Sequence, residues 1–241
     1  MKFKGSKAVE FLLARGNLPV LYWLKKDILE VPADRERKNL KKFAERIRIF
    51  EAQLPEGGWE VRRYNNDEDK WAKTRMIVET LRNLLRLYLY GCTLEDPGIK
   101  KATEFLLATQ TEEGDFRGAY LNEYATTYHC LILEVLGLYG LDRDERTQKG
   151  FEWLMRHRQA DGGWAIPYRT VSKDELKKRY SNPQRKNLPP IPPDKTKPSS
   201  HLVTGMALRA LAISPTWKSR PETWQAAQWL TTRFFKEDYY E

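Results

Sequence analysis

Three short segments of this sequence share one pattern: Gln53-Leu-Pro-Glu-Gly-Gly-Trp59, Gln110-Thr-Glu-Glu-Gly-Asp-Phe116 and Gln159-Ala-Asp-Gly-Gly-Trp164. Each begins with a glutamine, passes through an acidic turn to one or two glycines, and ends on an aromatic residue. The glutamines are 57 and 49 residues apart, a spacing typical of helical repeat proteins. Glycine permits a tight reversal with positive φ, and the aromatic ring can fill the space between neighbouring hairpins. We therefore predict a helix before and after each segment.

The sequence around these segments has the 3.6-residue period of α-helices. Residues 77–88, for example, place their apolar side chains on one helical face. Asn17, Asp96 and Asp142 precede a proline or an acid in a first turn, which predicts them as N-caps. No stretch alternates with a period of two, so we predict an all-α fold. About nine helices are expected, near 6–15, 18–30, 35–52, 70–90, 97–109, 122–139, 143–158, 200–213 and 221–235.

The composition is that of a folded globular chain. It has 241 residues, of which 41% are hydrophobic and 31% charged, and we predict one repeat domain over residues 1–241. Cys92 and Cys130 are too few for a disulfide framework or, alone, for a zinc site. Glu10 and Arg15 interrupt the first apolar runs, which predicts neither a secretory signal nor a membrane span. We therefore expect a cytoplasmic protein.

Much of the positive charge lies in one proline-rich insertion. The chain has a net charge of +9, and residues 171–198 contribute +5 of it together with six prolines. Such prolines exclude a continuous helix and favour extended conformations. The insertion is either a solvated loop or a lid or docking strip for phosphates or an anionic membrane surface. No nucleic-acid-binding signature accompanies the charge, so we expect no specific nucleic-acid partner.

The repeated pattern resembles that of two known families. A helix followed by Gln-x(2–3)-Gly-Gly-Trp resembles the QW-type repeat of squalene and oxidosqualene cyclases, and it is similar to the Gly-Gly-Phe/Trp repeat of protein prenyltransferase β subunits. The resemblance spans about residues 5–236. Both families are (α/α) toroids, in which inner and outer helices form concentric rings around an apolar pocket. The resemblance implies a toroid or open crescent of helical hairpins that holds an isoprenoid or another apolar ligand.

The number of predicted hairpins bears on how such a ring would close. We pair the predicted helices into four and a half hairpins, whereas toroids of the resembled families close with more. The ring is therefore open or smaller, or a second protein chain completes it. An open ring would leave apolar edges that need cover.

An acidic run suggests one set of catalytic residues. The resembled cyclases start a cation cascade with Asp-x-Asp-Asp, and the nearest run here is Asp67-Glu68-Asp69-Lys70. Clustered carboxylates raise one another's pKa, which keeps one of them protonated near neutral pH. The resemblance thus implies Asp67 and Asp69 as catalytic acids. Lys70 would lower their pKa, so the alternative is an acidic loop that caps a helix.

A second set follows from the prenyltransferase zinc site. That site uses an Asp-x-Cys pair and a histidine on a later helix. Glu123-Tyr124-Ala125 lies where the pair would fall, and His201 matches the later histidine. Because the thiol ligand is missing, we expect no metal and no cofactor. Glu123 and His201 remain candidate catalytic residues, with helix capping or packing as the alternative for His201.

Aromatic residues complete the predicted site. Aromatic faces stabilise cations, and the resembled enzymes hold isoprenoids in this way. The candidate substrate-binding residues lie at or just before predicted inner helices: Trp71, Tyr124, Tyr128 and Trp164. The alternative for Trp59 and Trp164 is a structural plug between hairpins, because the repeat position favours packing.

Three functional hypotheses follow. The first is an isoprenoid-handling transferase or cyclase that lacks a complete zinc or acid motif, and the second is a non-catalytic repeat scaffold that pairs with another chain. The third is an α/α barrel acting on carbohydrate, with Glu123 and Asp67 as its carboxylate pair. A catalytic function requires Glu123, His201 and the loop 65–70 to converge on one apolar cavity. A binding module instead predicts a filled centre or an exposed apolar edge.

Overall fold

The computed structural model describes residues 6–61, 72–117, 122–184 and 188–240. The elements of these residues are all helical, which confirms the predicted all-α class. There are more helices than the nine expected. The predicted helix 18–30 is divided into an α-helix and a π-helix, 35–52 is divided into two α-helices, and the insertion contains one of its own.

The α-helices are labelled in chain order: α1 (Lys7–Arg15), α2 (Leu18–Trp23), α3 (Asp34–Leu40), α4 (Ala44–Glu51), α5 (Ala72–Leu89), α6 (Pro97–Leu107), α7 (Thr126–Leu138), α8 (Glu145–Arg156), α9 (Lys173–Ser181), α10 (His201–Ile213), α11 (Pro215–Lys218) and α12 (Pro221–Thr231). A π-helix, Leu24–Ile28, follows α2, and a 3-10 helix, Pro167–Arg169, precedes α9. The longest helix, α5, has 18 residues and carries several charges. Among the described residues, no helix combines the length and the apolarity needed to cross a bilayer.

Polar side chains begin several helices, partly as predicted. The Asn17 side chain accepts a hydrogen bond from the Val20 amide at the start of α2, which confirms that cap. The cap of α8 is Asp144, not Asp142, so that prediction was wrong. Asp96 occupies the N-cap position of α6 without a side-chain capping bond to this helix. Its carboxylate binds the Arg46 guanidinium instead.

The helices form a row of hairpins. The inner helix α5 packs against α7, and α7 packs against α10. Helices α4, α6, α8 and α12 each pack against one of these three helices; α5, α7 and α10 are called the inner helices below, and the other four the outer helices. One continuous core runs from Trp59 to Ala226 through all of these hairpins. Two smaller apolar clusters lie under the first three helices.

The first two repeat glutamines each bind their own turn and the first turn of a later helix. The Gln53 amide nitrogen donates to the Gly57 carbonyl and, at the same distance of 2.8 Å, to the Gly98 carbonyl in the first turn of α6. The Gln110 amide donates to the Gly114 carbonyl at 2.9 Å and to the Arg146 carbonyl in the first turn of α8 at 2.7 Å. These amides satisfy carbonyls of two successive repeats at once.

The third glutamine binds the insertion instead of a helix. Residues 188–198, which follow α9 and lead to α10, are called the strap below. The Gln159 amide donates to the Asp194 carbonyl at 2.7 Å and to the Lys197 carbonyl at 2.9 Å. The end of the strap therefore takes the place that an outer helix has at the first two junctions.

The repeat aromatics are fixed in the core. The indole of Trp59 donates to the Ile49 carbonyl at 2.6 Å, and the indole of Trp164 donates to the Leu154 carbonyl at 2.7 Å. Their backbone amides donate to Thr80 on α5 and Thr204 on α10, at 3.1 and 3.0 Å. Phe116 is likewise buried, at 1% exposure. The three rings are the plugs between hairpins that the repeat pattern predicts as an alternative to substrate binding.

Both cysteines are buried thiols. Cys92 follows α5 and Cys130 lies within α7. Burial raises the pKa of the Cys92 thiol to about 12, and complete burial also raises the pKa of Cys130. Both side chains therefore stay protonated at neutral pH and pack as small apolar groups.

Gly57 allows the first two repeats to approach closely. Its φ is 102°, and a Cβ at this position would lie 2.4 Å from the Lys101 carbonyl oxygen in α6. Gly114 repeats the arrangement against Lys149 in α8, with φ at 100° and a distance of 2.7 Å. Only glycine combines this conformation with this contact.

We predict that Gly57→Ala destabilises the protein more than Gly140→Ala. Both positions have positive φ, which costs an alanine about 1–2 kcal/mol. A Cβ at Gly140 meets nothing within 4 Å, whereas at Gly57 it forces α6 away and costs about 1–3 kcal/mol more. The free energies of unfolding from urea titrations measure this difference. Equal values for the two variants would contradict the close contact between repeats.

Candidate functional site

The predicted site residues divide into those that the structure describes and those that it does not. Asp67, Asp69 and Trp71 lie outside the described residues. Glu123, Tyr124, Tyr128, Trp164 and His201 are described, and their surroundings decide what each side chain is free to do.

Glu123 binds the insertion. It lies just before α7, and its side chain is buried. One carboxylate oxygen accepts a hydrogen bond from Nε of Arg179 on α9 at 2.5 Å, and the other accepts from the backbone amide of Ile191 at 3.0 Å. Both oxygens are therefore engaged, one by a charge-assisted bond.

Two further bonds fix the same part of the strap. The Asn122 side-chain amide donates to the Leu188 carbonyl at 2.6 Å. Arg179, besides binding Glu123, donates to the Pro189 carbonyl. The insertion is thus fastened to the start of α7 at one side and to Gln159 at the other. This arrangement differs from the solvated loop that is the simpler interpretation of its sequence.

Tyr124 belongs to a polar cluster beside this tether. Its hydroxyl donates to Glu113 at 2.6 Å, and the Arg117 guanidinium lies over its ring, 4.8 Å from the centroid. The ring also contacts those of Trp153 and His157, each at 5.3 Å. Burial raises the pKa of Tyr124, and the bond to Glu113 raises it further. The hydroxyl therefore keeps its proton and acts here as a donor.

Glu113 and Asp115 neutralise Arg117. The guanidinium donates to the Asp115 carboxylate at 3.1 Å and also binds Glu113. Burial alone would raise the pKa of Glu113, but the bonds from Tyr124 and Arg117 outweigh it and hold the pKa below its ordinary value. Asp115 occupies the position that a second glycine has in the first and third repeats. The second repeat has thus exchanged a glycine for an ion-paired carboxylate.

Two histidines pack beside this cluster. His129 is 1% exposed, and its Nε2 lies 2.9 Å from the Gly150 carbonyl. Burial lowers the pKa of His129 to about 4, so its ring is neutral at physiological pH. His157 stacks on Trp153 with ring centroids 3.8 Å apart, and burial lowers its pKa as well. Both rings serve packing, and neither is poised to titrate near neutrality.

His201 has different neighbours. Its backbone amide donates to the Asp238 carboxylate at 2.7 Å, and the Ser200 hydroxyl donates to the same oxygen at 2.8 Å. The His201 ring meets the Trp229 ring edge-on at 5.8 Å. Asp238 thus caps α10 from the C-terminal segment, and a carboxylate there is favoured by the helix dipole.

The described candidates have different direct partners. Glu123 contacts Arg179 and Ile191, whereas His201 contacts Asp238 and Trp229. Trp164 is completely buried, and Tyr128 is a partly buried side chain packed against the core. In the described part of the chain, no group of three or more His, Cys, Asp or Glu side chains could hold a metal ion.

The inner helices carry ion pairs on their exposed sides. Arg209 of α10 binds Glu134 of α7 at 2.5 Å, and 58% of the arginine side chain is exposed. On α5, Arg82 pairs with Glu79 at 3.3 Å and is exposed to a similar degree.

Sequence reasoning missed the partners of the predicted residues. Ser172 and Glu175 form a capping box that begins α9, and this signal could have predicted the helix that presents Arg179. Asp115 could have been noticed because it interrupts the glycine pattern. Asp238 had no such signal, since nothing in its surroundings in the sequence points to the start of α10.

We predict that Glu123→Gln releases the strap without unfolding the protein. The change removes the negative charge that binds Arg179. The docked strap should lose about 1.5 kcal/mol of stability, which raises the population of chains with an open strap roughly tenfold. Limited trypsin digestion should then cleave within 171–198 roughly ten times faster. The matched control is Glu134→Gln, which loses a similar pair with Arg209 away from the strap. Similar acceleration in both variants would contradict the tether.

We predict that docking of the C-terminal segment on α10 is lost in acid. Burial alone would raise the pKa of Asp238, but bonds from Ser200 and from the amides of Tyr240, His201 and Leu202 lower it below the ordinary value of 3.8. Because the folded pKa is depressed, the stabilisation is complete above 3.8 and disappears as pH falls through the folded pKa. Hydrogen exchange at the first turn of α10, corrected for its intrinsic pH dependence, measures the loss.

Asp238→Asn provides the control for this pH dependence. An amide cannot ionise, so the first turn of α10 should exchange faster at neutral pH and show no further step in acid. A step that persists in Asp238→Asn would assign the titration to another group.

Comparison with known proteins does not assign this chain to a family. No protein-family model matches the chain. No curated protein matches it significantly either. The chain is therefore characterised by its own structure: a row of helical hairpins, joined by glutamine bridges, in which the described candidate residues are held by structural partners.

Proposed function

We propose that this protein is a non-catalytic helical-repeat scaffold that pairs with another protein chain. The observation that carries the proposal is where large apolar side chains are exposed. Between Leu89 and Tyr180 the described residues expose none of them. Apart from Tyr180 on α9, they lie in the first and last elements of the described chain: Phe11, Leu13, Val20, Ile28, Ile47 and Leu89 in the first, and Leu202, Trp224, Phe234, Phe235 and Tyr239 in the last.

Apolar ends are unusual for a repeat protein that works alone. Each repeat buries its faces against its neighbours, so the terminal repeats need polar outer surfaces to stay soluble. Among the described residues, α6, α7 and α8 expose no large apolar side chain, whereas the first and last helices do. Exposed apolar groups concentrated in this way mark surfaces that associate. An open crescent whose ring is completed by another chain accounts for this distribution.

The hydrogen bonds already made by the candidate catalytic side chains support the same proposal. An acid or nucleophile needs an oxygen that can reach substrate, and both oxygens of Glu123 bind the insertion. The His201 ring lies beside Trp229, and among the described residues no carboxylate binds it. These residues stabilise the repeat row at the positions where the resembled enzymes carry chemistry.

An isoprenoid-handling transferase or cyclase is the second candidate. The row of hairpins with glutamine and aromatic turns favours it, because the resembled toroids share this arrangement. Asp67 and Asp69 would supply its acid, and the pocket would lie on the inner side of α5, α7 and α10. The ion pair between Glu134 and Arg209 weighs against an apolar lining there.

We predict that purified protein neither converts nor binds farnesyl diphosphate or squalene. Mass spectrometry of the reaction mixture should recover both compounds unchanged. Calorimetry should show the same midpoint of thermal unfolding with and without them, because a ligand that binds only the folded state raises it. Formation of a product that His201→Ala or Asp67→Asn abolishes would overturn the scaffold and establish the enzyme.

A further inference from the structure

The strap between α9 and α10 contains a run of prolines. From Leu188 to Lys195 it reads Leu-Pro-Pro-Ile-Pro-Pro-Asp-Lys, and residues 188–195, all of which the structure describes, form neither a helix nor a strand. Proline fixes its own φ at about −65° and keeps the residue before it extended. Four prolines within five positions therefore hold this segment as a polyproline II helix, which has three residues per turn.

Every third residue of the strap binds the body of the protein. Three hydrogen bonds from backbone groups of the strap show this spacing: Leu188 with Asn122 at 2.6 Å, Ile191 with Glu123 at 3.0 Å and Asp194 with Thr170 at 3.0 Å. A spacing of three residues is one edge of a polyproline II helix. The edge through Leu188, Ile191 and Asp194 therefore faces the repeats.

The other two edges of this helix face away from the repeats. Each residue that follows a bound residue by one position is exposed: Pro189, Pro192 and Lys195. Pro190 and Pro193 lie on the third edge and are half-buried. The strap thus presents two Pro-Pro steps to solvent, one turn of the helix apart.

A lysine follows the two Pro-Pro steps. The Lys195 ammonium donates to the Arg156 carbonyl at 2.8 Å, a neutral acceptor that leaves its positive charge in place. The neighbouring Asp194 carboxylate accepts hydrogen bonds from the amide and the hydroxyl of Thr196. The segment therefore has the form Pro-Pro-x-Pro-Pro-x-Lys, in which the first x is Ile191 and the second is Asp194, both on the bound edge.

Polyproline II segments are bound by domains whose grooves are lined by aromatic side chains, such as SH3 domains. A groove can contact at most two of the three edges of such a helix, and here two edges are free. We infer that the docked strap binds an SH3-type domain through its two Pro-Pro steps, while Glu123 and Gln159 hold the opposite edge. An acidic side chain at the end of the groove pairs with Lys195. The inference goes beyond the proposed scaffold function, because it gives the strap a partner that is separate from the apolar ends of the row.

The tether of the strap favours this contact. Binding an extended segment costs entropy because its backbone must be ordered, and a segment already held in the bound conformation loses less. The bonds at Leu188, Ile191 and Asp194 hold the strap in this way before a partner arrives. The full chain should therefore bind the domain more tightly than a free peptide of the same sequence.

The test is an NMR titration of an isotope-labelled SH3 domain with the full chain. The domain is one selected for peptides of the form Pro-Pro-x-Pro-Pro-x-Lys, and a synthetic peptide of residues 188–198 gives the reference affinity. We expect the full chain to shift the resonances of the aromatic groove and to bind severalfold more tightly than the peptide. Pro189→Ala combined with Pro192→Ala should weaken binding about tenfold or more, and Lys195→Glu should weaken it severalfold.

Two matched controls identify which edge is bound. Pro183→Ala removes an exposed proline of the same insertion that lies outside the strap. Ile191→Ala shortens a side chain on the bound edge and keeps the backbone amide that donates to Glu123. Both variants should bind within about twofold of wild type, because neither changes an outward edge. Thermal unfolding confirms that each variant is folded.

Several results would overturn the inference. They are a full chain that leaves the domain unshifted and a double proline variant that binds like wild type. A peptide that binds while the full chain does not would show that docking conceals the prolines. A roughly tenfold gain of affinity in Glu123→Gln would mean the same, because only the open strap would then bind. None of these results concerns the apolar ends of the row, so failure of this inference is distinguishable from failure of the scaffold proposal.

Discussion

The amide groups of Gln53, Gln110 and Gln159 hold the repeats together. Each donates two hydrogen bonds from one nitrogen, and each joins segments that are distant in the sequence. An outer helix cannot bury its face alone, so stability comes from contacts between neighbours. The glutamines set the register of these contacts, while glycines such as Gly57 let the backbones meet. The packing of the repeat aromatics, the continuous core and the position of the insertion all depend on these glutamine contacts.

The sequence predicts the parts of the structure that local chemistry determines. The spacing of Gln53, Gly57 and Trp59 sufficed to predict a helix, a left-handed turn and a plug, because these functions act within a few residues. It did not predict that Glu123 would bind Arg179, since 56 residues separate them and many geometries bring an acid near a base. It likewise did not predict that the Asp238 carboxylate would accept a hydrogen bond from the His201 backbone amide. The sequence therefore predicted which positions to inspect, but it did not predict the bonding partners of Glu123 and His201.

The insertion is held in place by bonds to two different repeats. At the third junction the strap occupies the place of a helix, and Glu123 is used to hold it there. Glu123 thus holds the insertion against the start of α7. Most of the exposed apolar side chains lie elsewhere, in the first and last elements of the described chain, although Tyr180 is next to Arg179 in the sequence.

The two buried thiols can report local opening of this protein. Cys92 lies after the first inner helix and Cys130 within the second, so they sample different hairpins. A buried thiol reacts with an alkylating reagent only when its surroundings open, and the rate of labelling then reports the free energy of that opening. Trypsin places the two cysteines in different peptides, so mass spectrometry of the labelled peptides assigns each rate without any substitution. Differences between them would show whether neighbouring hairpins open together or one at a time.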